Sequence, residues 1–296
     1  MLSLMHQVNV KKYAKSPPKK QLMHIMHEIE LKKHYSGYRT WDLMVELLAR
    51  WIVLNDKDSL KMGSQGFCLN FHGLPLKSDK ELYEHIDKMG LFEHYVVAAK
   101  KNPWDHLGEV YCDYNLYRGN QGVVLTPKQI VDFMARMTLG DPGKMAEKFQ
   151  MEMWVAALTK EYLASCYQQG RVPFHIHKIP MPMPKTALDP CVGSGRFLIG
   201  ITTMYPKDPL VLYGIEIRQS LYRSCLVNMA LFSNHPYTII CGDTLRLPQT
   251  CNCAHPIWDL GNRWKTPSLQ KFYDWKPPKT SSLQRFMQMR AEESKT

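Results

Sequence analysis

Apolar residues recur at helical spacing through the first third of the chain. Leu22, Ile25, Met26 and Ile29 share one stripe between Gln21 and Leu31, and Leu43, Met44, Leu47, Leu48, Trp51 and Ile52 form a denser one between Trp41 and Leu54. Such stripes are the core-facing sides of amphipathic helices. A second helical block is expected from Asp79 to Ala99 through Leu82, Ile86, Met89, Leu91 and Tyr95, with Pro103 ending it. Thr126-Pro127 predicts the start of another helix, with Thr126 as N-cap and Pro127 at the first helical position. Gly140-Asp141-Pro142-Gly143 interrupts the pattern before a further helical segment from Met145 to Gln168. The prolines of Ile179 to Pro184 then impose an extended connector, because each restricts the residue before it.

Beyond that connector the periodicity changes. Ala187-Leu188-Asp189, Val211 to Ile217 and Tyr237 to Asp243 are short apolar runs that read as strands, and each ends in or next to a carboxylate. Between the last two, Leu221, Cys225, Asn228, Met229 and Phe232 place one helix over Ser220 to Phe232. The expectation is an α/β unit whose parallel strands present Asp189, Glu216 and Asp243 along one edge.

The turn after the first strand is the centre of this unit. Gly193 and Gly195 allow close backbone approach and positive φ. The segment lacks the third glycine of a dinucleotide fingerprint and the Lys-Ser/Thr of a phosphate loop. Asp189 at the strand's end repels phosphate oxygens and suits a cation or hydrogen-bond donor, such as the ammonium of S-adenosylmethionine. Glu216, ending the second strand, stands where a carboxylate accepts both ribose hydroxyls.

Asp189-Pro190-Cys191-Val192-Gly193-Ser194-Gly195-Arg196-Phe197, Gly214-Ile215-Glu216-Ile217 and Gly242-Asp243-Thr244-Leu245 together resemble the cofactor half of N6-adenine DNA methyltransferases. More specifically they resemble the methylation subunits of type I restriction-modification systems, in the short form carried by phages and plasmids. Upstream, Gly119 to Pro127 is similar to that family's Gly-x-Phe-Thr-Pro segment. The resemblance covers roughly residues 105 to 250, in the family's order. It implies a Rossmann-like methyltransferase fold and S-adenosyl-L-methionine held by Asp189, Pro190, Cys191, Gly193, Gly195, Phe197, Glu216, Ile217 and Asp243. It further implies that Thr126 lies against the methionine end of the cofactor. The domain organisation expected is an α-helical N-terminal domain with a basic arm (1–118), a methyltransferase domain (119–250) and a Pro/Trp/Lys-rich tail (251–296).

Charge adds a partner class. A formal charge of +11 over 296 residues favours a polyanion such as double-stranded DNA, although a solvated basic surface has the same composition. RNA would satisfy the same charge. Eight scattered cysteines, no secretory leader at Met1 and no apolar run of bilayer length give the expectation of a soluble, reducing, cytoplasmic setting. Cys241, Cys251, Cys253 and His255 do not have the spacing of common zinc modules, so no metal is expected.

The family's Asn/Asp-Pro-Pro-Tyr/Phe tetrapeptide, which supplies acceptors and a stacking ring for an extruded adenine, is absent. Trp275-Lys276-Pro277-Pro278-Lys279 keeps the prolines, but lysines stand where acceptor and aromatic belong. The substitute is Ile257 to Trp264, in which Asp259 and Asn262 are the candidate acceptors and Trp258 and Trp264 the candidate stacking rings; a loop packing its tryptophans on the sheet is the alternative. Only three strands are expected, against about seven in the family, so the fold reads as truncated after the third. The first strand then becomes an edge needing cover from the helical domain, the tail or a second copy. A homodimer or a specificity subunit is accordingly among the expected partners.

Overall fold

The computed structural model describes residues 16–55, 79–114, 125–168 and 184–245. They form a mostly helical body around a small parallel sheet of three strands, in the order β1-β2-β3. The N-terminal part contributes α1 (Pro18–Lys33), α2 (Tyr38–Asn55), α3 (Lys80–Lys88), α4 (Leu91–Lys101) and α5 (His106–Asp113). The predicted stripes are its core: Leu22, Ile25, Met26 and Ile29 of α1 and Met44, Leu47, Leu48 and Ile52 of α2 are fully buried. The block expected over 79–99 is two helices. Gly90, at φ +67°, turns the chain out of α3 and into α4. No helix was expected over 106–113; Asp105 caps α5 by accepting from the Gly108 N–H at 2.8 Å.

Next come α6 (Lys128–Leu139) and α7 (Lys144–Gln168). Thr126 is not the cap of α6: Pro127 keeps an extended ψ of 149° and its carbonyl accepts from the Ile130 and Val131 N–H groups, which moves the boundary one residue on. Gly140 and Gly143, both at positive φ, make the expected break. The start of α7 is fixed by the buried Asp208, whose two oxygens accept from the N–H groups of Gly143 and Ala146, both at 2.9 Å.

β1 (Lys185–Asp189), α8 (Arg196–Met204), β2 (Leu210–Glu216), α9 (Gln219–Phe232) and β3 (Tyr237–Cys241) follow as two β-α-β crossovers. Both step the same way across the sheet, so the right-handed rule puts α8 and α9 on one face, where they touch. α9 is buried all round because the sheet lies beneath it and α2, α4 and α5 pack against it. One continuous apolar core therefore runs from α1 to β3.

Of the covers expected for the edge strand, the helical domain is not the one found among the described residues. Among the described residues β1 pairs with β2 alone, Leu188 remains 53% exposed, and the helical bundle packs on α9 instead of covering β1. α6, which packs beside α8, leaves Phe133 and Met137 exposed. Residues 246–296, the other cover expected from this chain, lie outside the described residues.

Candidate functional site

The strand register creates the site. Asp189 ends β1 level with Gly214 of β2, so Glu216 projects two residues, about 6–7 Å, past the end of its neighbour. The turn from Pro190 to Gly195 folds into that step. Val192 N–H donates to the Ile215 carbonyl at 2.9 Å, and Gly193 N–H donates to Glu216 Oε2 at 2.9 Å. Gly193 and Gly195 sit at φ +56° and +95°, where a side chain strains the backbone. A Cβ on Gly193 meets nothing within 4 Å, whereas one on Gly195 would lie 3.0 Å from Cys225 Sγ. Gly193 thus keeps the cleft open, and Gly195 lets α9 approach.

A cleft of about 560 Å³ opens at the carboxyl ends of the strands. Of the residues expected to bind a cofactor, Pro190, Cys191, Gly193, Glu216, Ile217 and Asp243 line it. Asp189, Gly195, Phe197 and Thr126 do not. Asp189 closes the turn beneath, its Oδ1 accepting from Cys191 N–H at 3.1 Å. Phe197 packs on the core, and Thr126 turns its carbonyl to Arg196. Leu125, Arg218, Thr244 and Leu245 line the cleft without having been expected. Leu125, Thr244 and Leu245 lie within the quoted motifs and Arg218 directly follows one, but nothing in the motifs marked these side chains as facing the cleft. The Thr244 hydroxyl donates to the Pro190 carbonyl, tying the β3 loop across to the β1 loop.

The carboxylates are not equivalent. Glu216 is 8% exposed, and its two oxygens accept from the N–H groups of Gly193 and Arg218, the latter at 2.8 Å. A carboxylate has about four acceptor positions, so both oxygens retain capacity. Burial raises the Asp189 carboxyl above the usual range, with the Glu216 charge adding to it and the Cys191 N–H opposing it. Asp243 Oδ1 accepts from Leu245 N–H at 2.9 Å. Burial likewise pushes the Cys225 and Cys241 thiols up, away from nucleophilic chemistry. Among the described residues no group of three or more His, Cys, Asp or Glu side chains is placed to hold a metal, and no helix is long and apolar enough to cross a membrane.

The volume lies within the usual range of small-molecule sites, about 300–1,000 Å³. Carboxylate acceptors at two strand ends, Glu216 and Asp243, an open glycine backbone and two exposed apolar side chains at the mouth, Ile217 at 64% and Leu245 at 94%, suit a ligand with hydroxyls and a flat apolar ring. Residues 172–262 match the family model described as N-6 DNA Methylase. This segment, about a third of the chain, is what is similar to that family. The matched segment contains all three strands and every described wall of the cleft except Leu125. No curated protein matches the chain. A solved structure similar to it is the methyltransferase subunit of a type I restriction-modification system from Streptococcus thermophilus, at 15% identity and a TM-score of 0.35, covering 80% of this chain and 46% of that one. The chain therefore spans less than half the length of that subunit. Asp259, Asn262, Trp258 and Trp264 lie outside the described residues, as do Cys251, Cys253 and His255.

Proposed function

We propose that the cleft binds S-adenosyl-L-methionine and that the protein is a DNA methyltransferase of the restriction-modification type acting on adenine N6. The observation that carries this reading is Glu216, held at the tip of β2 by two backbone N–H groups with acceptor capacity left on both oxygens, inside a segment of the N-6 DNA methylase family. Glu216 holds the ribose hydroxyls, Asp243 accepts from the adenine amino group, and Ile217 and Leu245 flank the ring. Asp189, Pro190, Cys191 and Gly193 form the floor under the methionine part, with Thr126 and Leu125 beside it. Bound there, the cofactor supplies a methyl group on a sulfonium. The fold under this reading is the first half of a Rossmann-like sheet, with the domain limits 1–118, 119–250 and 251–296, and the formal charge of +11 serves double-stranded DNA.

Adenine N6 needs acceptors because its lone pair is delocalised into the ring. Asn262 and Asp259 are assigned that work, with Trp258 or Trp264 stacking on the base. The missing tetrapeptide favours a second reading, in which the chain keeps the cofactor pocket but serves as a DNA-binding or interaction subunit, alone, as a homodimer or beside a specificity subunit. Calorimetric titration with S-adenosylmethionine, followed by tritiated methyl transfer to mixed-sequence duplex DNA, separates them. Binding with label on adenine N6 supports the enzyme; binding without transfer supports the subunit. Absence of binding overturns the enzyme and leaves the glycine loop as the scaffold of an interaction subunit.

A further inference from the structure

Behind the glycine turn, on the side away from the cleft, lies a carboxylate that the cofactor reading does not use. Asp105 is completely buried and comes from the helical bundle, 89 residues before the turn it touches. Its Oδ1 accepts from Gly108 N–H and Asn228 Nδ2, both at 2.8 Å; its Oδ2 accepts from the Ser194 hydroxyl and from Arg196 Nε at 2.8 Å. Asn228 also donates to the Ser194 carbonyl at 2.8 Å, so the residue between the two positive-φ glycines is gripped by side chain and backbone. The fit is close: a Cβ on Gly108 would overlap the Asp105 carboxylate and come within 2.7 Å of Ser194 Oγ.

Arg196 carries the grip further. Its Nη1 donates to the Thr126 carbonyl at 3.3 Å, and its guanidinium lies 5.4 Å from the ring centre of Trp104. Thr126 is joined directly to Leu125, a wall of the cleft, and Ser194 is joined to Gly193, another. Burying a carboxylate with one cation and three dipolar donors is tolerable only when all of them are held in place. One side chain of the helical bundle thereby fixes two walls of the cleft from behind.

We propose that Asp105 is the positioning residue of the cofactor cleft, setting the Gly193–Gly195 turn through Ser194 and Asn228 and the Leu125–Thr126 segment through Arg196. This rests on the reading of the cleft as an S-adenosylmethionine site. Asp105→Asn keeps the shape but replaces one acceptor oxygen by a donor that faces Ser194 and Arg196, or Gly108 and Asn228. The full-length chain carrying it is expected to bind S-adenosylmethionine about tenfold more weakly or worse, and hydrogen exchange in the 190–197 peptide is expected to accelerate. Arg196→Lys, which keeps the cation at Asp105 but cannot also reach Thr126, is expected to weaken binding several-fold, and it stands in if Asp105→Asn does not fold. Because both changes break one network, the double variant is expected to lose less than the product of the two single losses.

A residue that served stability alone would lower the melting temperature while leaving affinity and 190–197 exchange unchanged well below it. That result in a folded Asp105→Asn or Arg196→Lys chain overturns the proposal. A wild-type chain that takes up no S-adenosylmethionine overturns the cofactor reading instead, and the exchange of the 190–197 amides then decides by itself whether Asp105 sets the turn.

Discussion

The two sides of the glycine turn hold carboxylates used in opposite ways. Behind it, Asp105 is fully buried and receives four donors, which leaves no capacity for a ligand. In front, Glu216 receives two backbone N–H groups and borders an open cleft, with Asp243 beside it. A saturated acid ties elements together, whereas an acid with spare acceptors at a cavity wall is built to receive something. The turn between them is bonded to Glu216 through Gly193 and to Asp105 through Ser194, and variants can separate the two roles.

The largest effect is expected at the saturated side. Asp105→Ala removes the acceptor of Arg196 Nε, the Ser194 hydroxyl and the Gly108 N–H and one of the two acceptors of Asn228 Nδ2, and removing one partner of a buried pair costs about 3–5 kcal/mol. Denaturant unfolding of wild type and variant measures this, and a loss below about 1 kcal/mol would mean that water replaces the carboxylate readily.

Glu216→Ala comes next and should divide the other way. Two hydrogen bonds donated by ribose hydroxyls to a charged acceptor contribute roughly 1.5–3 kcal/mol each, so affinity for S-adenosylmethionine should fall by at least about 100-fold. Calorimetry reads it, and unchanged affinity would remove Glu216 from the ribose site. The melting temperature should fall less than in Asp105→Ala, because the stranded Gly193 and Arg218 N–H groups lie beside the cleft, within reach of water.

A smaller effect is expected at the rim. Ile217→Ser removes an apolar flank that is already 64% exposed, so folding should be nearly unaffected while cofactor affinity drops several-fold. A thermal melt beside the titration checks both halves. If stability falls instead and affinity holds, Ile217 belongs to the fold and not to the ligand.

The front of the turn was legible in the sequence and the back was not. Strands ending in carboxylates, with Gly193 and Gly195 between them, are local patterns, and six of the expected contacts line the cleft because strand ends in a parallel sheet converge on one edge. Asp189 and Phe197 belonged to the same motif, but a motif cannot say which of its side chains turn toward the cavity and which toward the core. Asp105 reaches Ser194 and Asn228 across 89 and 123 residues, and no local pattern in its neighbourhood pointed to that network. Gly90 divided one expected helix into two for a related reason: apolar spacing continues through a left-handed glycine although the helix axis does not.

Asp189 gives the smallest and most discriminating prediction, since it stands between the two roles. It lies in the turn's floor, and burial first, then the neighbouring Glu216 charge, raise its carboxyl above the usual range. A raised carboxyl means that the folded chain holds its proton more tightly than the unfolded chain does. The stabilisation from that proton is fully present below the unfolded value and is lost as pH rises through the folded one. At neutral pH the charged Asp189 is therefore a strain on the ligand-free fold, and Asp189→Asn should raise the melting temperature there, with the gain fading as pH falls below the ordinary carboxylate range. The same charge is what an ammonium or sulfonium would seek, so cofactor affinity should fall in this variant and, in wild type, should weaken on acidification earlier than an ordinary carboxylate would dictate. Melts at pH 7 and pH 4, paired with titrations at pH 7 and pH 5, test both signs. A variant less stable than wild type at pH 7 would place Asp189 with Asp105, as a tie within the fold.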